Sequence, residues 1–78
     1  MTRVDLAEVL YQSLRALGGQ SDIIGVCKYV WEHYQDELRN SGDLFYTWQY
    51  DIRWAATELR KANRMKDGRL CQKGIWEL

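Results

Sequence analysis

Between Phe45 and Ala62 the apolar residues Phe45, Trp48, Ile52, Ala55, Leu59 and Ala62 recur every three or four positions. That spacing puts them on one narrow arc of a helix, so the segment must lay this face on a core and leave the other in water. Ala55 and Ala56 allow a neighbouring helix to approach closely. Tyr46, Tyr50, Arg53, Thr57, Arg60, Lys61 and Arg64 fall on the opposite side. Asn63 suits the end of such a helix, because asparagine tolerates the left-handed conformation.

Two more helical segments precede it. Leu6, Val9, Leu10, Leu14 and Leu17 predict an amphipathic helix over residues 3–17, stopped at Gly18-Gly19. Ser21 is the expected N-cap of a second helix, whose apolar face is Ile23, Cys27, Val30, Trp31, Tyr34 and Leu38. The polar run Asn40-Ser41-Gly42-Asp43 ends it. The Gly19–Ser21 connection is expected to be too brief for much strand. After residue 64, Asp67-Gly68 is a turn signal and Ile75-Trp76-Glu77-Leu78 has strand composition. Two hairpins fit. Either residues 64–66 pair with 75–78 across an extended loop, or a tight turn at Asp67-Gly68 pairs with 69–72. Both put Lys66, Arg69 and Lys73 near the tip.

With 78 residues, folding is expected to leave roughly 5,000 Å² exposed of roughly 13,500 Å² in the extended chain, enough for one small core. A 46% hydrophobic content with 28% charged residues is not that of a disordered chain. No apolar run approaches the roughly 18 residues of a membrane span, and Met-Thr-Arg-Val-Asp-Leu is not a signal peptide. A single cytoplasmic domain, with no membrane partner, is therefore expected. Cys27 and Cys71 are expected to be reduced thiols, and no Cys-x-x-Cys or His-x-x-x-His spacing suggests a metal.

Net charge is zero, but its distribution is uneven. Residues 1–43 carry four basic side chains against seven acidic, a balance of −3. Residues 44–78 carry seven basic (Arg53, Arg60, Lys61, Arg64, Lys66, Arg69, Lys73) against four acidic, a balance of +3. A local patch attracts phosphates whatever the total charge. Nothing looks catalytic: Asp36-Glu37 and Asp5/Glu8 suit solvated helix faces, and His33 has no serine or cysteine at a useful spacing. Gly18-Gly19 lacks the flanking pattern of a phosphate-binding loop. A non-enzymatic chain without cofactor follows.

Three helices and a terminal hairpin are the order of a winged helix-turn-helix, in which the third helix enters the major groove and the hairpin touches the backbone or minor groove. In that arrangement Arg53 matches guanine and Gln49 adenine, each through paired hydrogen bonds. Thr47 and Thr57 would lie in or beside the groove, with Tyr46 and Tyr50 on phosphates or sugars. Arg60, Lys61, Arg64, Lys66, Arg69 and Lys73 would serve as phosphate or wing contacts. Trp31 and Trp48 belong to inner faces and Trp76 to the hairpin's packing. Trp54 lies off the apolar stripe, and three places remain open for it: under the wing, on DNA, or at a dimer interface.

The residues also carry a family resemblance. Asp51-Ile52-Arg53-Trp54-Ala55-Ala56, Glu58-Leu59-Arg60-Lys61-Ala62-Asn63 and Lys73-Gly74-Ile75-Trp76-Glu77-Leu78 resemble the N-terminal winged-helix domain of Mrr-type restriction endonucleases. Leu14-Arg15-Ala16-Leu17-Gly18-Gly19 agrees more loosely. Asn63 stands where that family usually has glycine, and the loop before Gly74 is a few residues longer. The sequence stops at Leu78, before any nuclease domain, so the resemblance implies a DNA-recognition module without its cutter. It would be a transcriptional regulator, a phage or mobile-element protein, or a detached specificity domain, and as a homodimer it would gain affinity from two half-sites. The alternative keeps the fold and changes the partner: a protein-interaction adaptor, such as a phage-encoded inhibitor of a host defence complex, using its exposed aromatics.

Overall fold

A computed structural model describes all 78 residues. The elements are α1 (Asp5–Ala16), β1 (Gln20–Asp22), α2 (Ile23–Arg39), α3 (Leu44–Lys61), a single 3₁₀ turn (Gly68–Leu70) and β2 (Ile75–Glu77). The chain is mainly helical with one two-stranded antiparallel sheet. The exposed surface is 5119 Å², close to the expectation from chain length. No helix is long and apolar enough to cross a membrane.

The first helix buries Leu6, Val9, Leu10 and Leu14, while Leu17 lies past its end and is 37% exposed. Gly18 (φ 90°) and Gly19 (φ 96°) both take positive φ, and the Gly19 amide donates to the Leu14 carbonyl at 2.7 Å. This closes the helix and redirects the chain into β1, a turn that only glycine makes without strain. The cap of α2 is Asp22, not Ser21. Its extended backbone (ψ 169°) carries its carboxylate to the Gly25 amide at 2.7 Å, whereas the Ser21 hydroxyl donates to the Asp22 carbonyl. A Cβ at Gly25 would meet Ser21 Oγ and the capping Asp22 Oδ1, so a side chain there would have to displace both. Asp22→Ala is expected to cost about 1 kcal/mol of stability, measured by urea unfolding, with Asp22→Asn close to wild type.

The second helix buries Val26, Val30 and Leu38 fully, with Ile23, Cys27, Trp31 and Tyr34 half-buried along its flanks. Its backbone leaves helical geometry at Tyr34 (φ −126°), which rotates the last turn and brings Leu38 into the core. Leu44, Trp48, Ile52, Ala55, Ala56 and Leu59 are the buried face of α3. Phe45 is only half-buried, and Ala62 is exposed because the helix has already ended at Lys61. Asn63 turns the chain with φ 59°, and the Arg64 amide closes the end on the Leu59 carbonyl at 2.8 Å. The first helix packs on both α2 and α3, over the small Ala55 and Ala56.

The C-terminal strand corrects the sequence expectation. No self-contained hairpin forms: residues 68–70 make a 3₁₀ turn, and β2 pairs with β1, the segment expected to be too short. The register is Gln20 with Glu77, Ser21 with Trp76 and Asp22 with Ile75. The Leu78 amide extends the ladder to the Gly19 carbonyl at 2.9 Å. Residues 64–66 approach β2 through one backbone bond, from the Lys66 amide to the Glu77 carbonyl at 2.8 Å. Burial decides between the pairings. Docking β2 on β1 leaves Trp76 only 6% exposed in the core, a gain of several kcal/mol that a detached hairpin forgoes.

Candidate nucleic-acid interface

Because α3 lays its apolar stripe on α1 and α2, its outer stripe is determined. Tyr46 (83% exposed) and Tyr50 (76% exposed) stand fully in solvent, with Arg53 and Thr57 continuing the line. Gln49 and Arg53 lean toward α2. With Lys28 and the exposed Ile24 they rim a groove of about 380 Å³ whose other lining residues are Ile23, Cys27, Trp31 and Trp48. Burial pushes the Cys27 thiol up in pKa, and the nearby Arg53 guanidinium partly offsets this.

Thr47 is separated from this edge. Its hydroxyl donates to Asp51 Oδ2 at 2.8 Å on the other flank of α3. The Thr57 hydroxyl is turned back to the Arg53 carbonyl at 3.3 Å. Trp54 is half-buried against the core beneath the Arg3 guanidinium, 3.9 Å from the ring centroid. Its cover is thus the start of the chain and not the 67–74 loop.

The basic residues divide into two sets. Arg60 Nε donates to the Lys66 carbonyl at 3.0 Å, and its guanidinium lies under Gly68, fastening that loop to α3. Lys61 pairs with Glu58 (3.5 Å), Lys66 with Glu77 (3.2 Å) and Arg69 with Asp67 (3.2 Å). Arg64 reaches Glu8 at 3.0 Å and covers the Tyr11 ring at 4.1 Å, so it faces α1. Arg53, Lys73 and Lys28 have no carboxylate partner; nor do Arg60, held by the Lys66 carbonyl, Arg3 and Arg39, which cover Trp54 and Trp31, or Arg15 at the far end of α1. Arg60 and Lys73 border the same depression together with Ile23, Gly74 and Trp76. Through Ile23, which lines both depressions, one run of unpaired cations extends from the first turns of α2, across α3, to the loop before β2.

Lys28 escaped the sequence reading. It is one of two cations in the second helix, with Arg39 at the other end, and only the packing of α2 beside α3 brings it near Arg53. Comparisons with known protein families, with curated proteins and with solved structures find no match for this chain.

The internal pairs have a consequence in pH. The Gln12 amide and then the Arg64 guanidinium hold the Glu8 carboxyl below its usual pKa, and Arg69 does the same for Asp67. A carboxyl depressed in the folded state stabilises it above the unfolded pKa, and that contribution is lost as pH falls through the folded value. Titration of Glu8 by NMR is expected to show a midpoint below that of an unstructured glutamate. Gln12→Ala and Arg64→Gln should each raise it.

Proposed function

We propose that this chain is a winged helix-turn-helix module that binds double-stranded DNA without catalysis, with α3 in the major groove and the 67–74 loop as the wing. The observation that carries this reading is the placement of Lys28, Arg53 and Lys73. They come from α2, α3 and the loop before β2, border two depressions joined at Ile23, and have no carboxylate partner within the chain, with Gln49 lining the first depression. The strand order adds support. A strand between the first two helices, paired with the last strand, anchors the 67–74 loop beside Arg60 of α3. The resemblance of residues 45–78 to the Mrr-type N-terminal domain points the same way.

In this reading Arg53 and Gln49 meet base edges, while Lys28, Lys73, Tyr46 and Tyr50 meet the backbone. Lys61, Arg64, Lys66 and Arg69 contribute less, because each cation is already shared with a carboxylate.

Fluorescence anisotropy with a labelled random duplex of about 25 base pairs tests the proposal. Three to five phosphate contacts should weaken binding by about 50- to 500-fold between roughly 50 and 200 mM salt. Absence of binding at the lowest salt would overturn it.

A further inference from the structure

DNA binding accounts for the rim of the α2–α3 groove but not for its floor. Ile24, in the first turn of α2, is 66% exposed, and it opens onto half-buried Cys27 and Trp31 and onto Trp48 of α3. Groove volume, about 380 Å³, is within the range that seats an organic group the size of a large side chain. A duplex presents phosphates and stacked base edges. It has no flexible apolar group to lower between two helices.

Charge specifies the rest of the occupant. No acidic residue lines the groove, and its two cations stand on opposite walls, Lys28 from α2 and Arg53 from α3. Neither has an ion pair within the chain. The complement of an apolar floor between two unpaired cations is a large apolar side chain flanked by carboxylates. An amphipathic segment supplies that pattern when apolar anchors recur at helical spacing among Asp and Glu.

We propose that the α2–α3 groove is a docking site for an acidic amphipathic segment of a protein partner. The docking surface stands independently of the DNA reading. One consequence rests on that reading: segment and duplex both claim Lys28 and Arg53, so they exclude one another, and an acidic partner regulates DNA binding by occupying the groove.

The test is selection of displayed random peptides of about 15 residues against the folded chain, followed by binding of a synthetic copy of an enriched peptide. Enriched peptides should carry large apolar residues and net negative charge. Ile24→Asp, at an exposed position that folding does not need, and Arg53→Glu should each weaken the synthetic peptide by about tenfold or more, with melting temperatures unchanged. No enrichment, enrichment of neutral or basic peptides, or binding indifferent to Ile24→Asp overturns the docking site. The unlabelled 25-base-pair duplex should displace the bound peptide. Simultaneous binding overturns the exclusion. A peptide that binds through Ile24 and Arg53 where the duplex fails at every salt concentration supports the docking site and removes the DNA reading instead.

Discussion

Arg53→Glu is expected to lower affinity for duplex DNA by about 10- to 100-fold at fixed salt, the loss associated with one bidentate base contact and a reversed charge. The size of the effect follows from what Arg53 does not do in the folded chain. It has no carboxylate partner and is exposed, so its replacement leaves the core and the end of α3 intact. Arg64→Gln makes the opposing case. Arg64 belongs to the same helical wheel face in sequence, yet its guanidinium is engaged by Glu8 and Tyr11 on the α1 side. Its replacement should change affinity by less than about twofold. Anisotropy titrations of both variants, with thermal melts as a folding control, decide the matter. Equal losses at the two positions would show that α3 meets its target through a different edge.

Trp76→Ala is expected to cost about 3–5 kcal/mol, measured by urea unfolding, because it removes a large side chain buried to 6% exposure and leaves a cavity. A chain of this length has about 4–12 kcal/mol in all, so the variant should lose about a quarter or more of its stability. Trp76→Phe keeps most of the buried area and should remain folded. The pair of variants also tests the strand pairing. If β2 separated from β1 and took Trp76 out of the core, its truncation would cost less than about 1 kcal/mol. Loss of the tryptophan should also weaken DNA binding at Lys73, since the loop before Gly74 is held in place by β2 on one side and by Arg60 on the other.

The sequence was most legible where its information is local. Helical spacing repeats every three or four residues, so three helices, their inner faces and their ends could be located from short windows. Gly18-Gly19 and Asn63 announced the turns that they make, since positive φ is a property of single residues. The outward stripe of Tyr46, Tyr50 and Arg53 was determined as soon as the opposite stripe was identified as core. Even here local signals had limits. Ser21, the expected N-cap, lies one residue too early: the helix starts at Ile23, and the carboxylate of Asp22 takes the Gly25 amide.

Tertiary structure alone decided the partner of β2, because strand pairing joins segments more than 50 residues apart and a turn signal at Asp67-Gly68 reports only its own neighbourhood. It also decided which cations are free. The ion pair between Glu8 and Arg64 links the two ends of the chain, and Lys28 joins Arg53 only because α2 packs beside α3. A linear sequence states how many charges a segment carries. Whether a given charge meets a carboxylate or open solvent depends on which elements the burial of Trp48, Ile52 and Trp76 presses together.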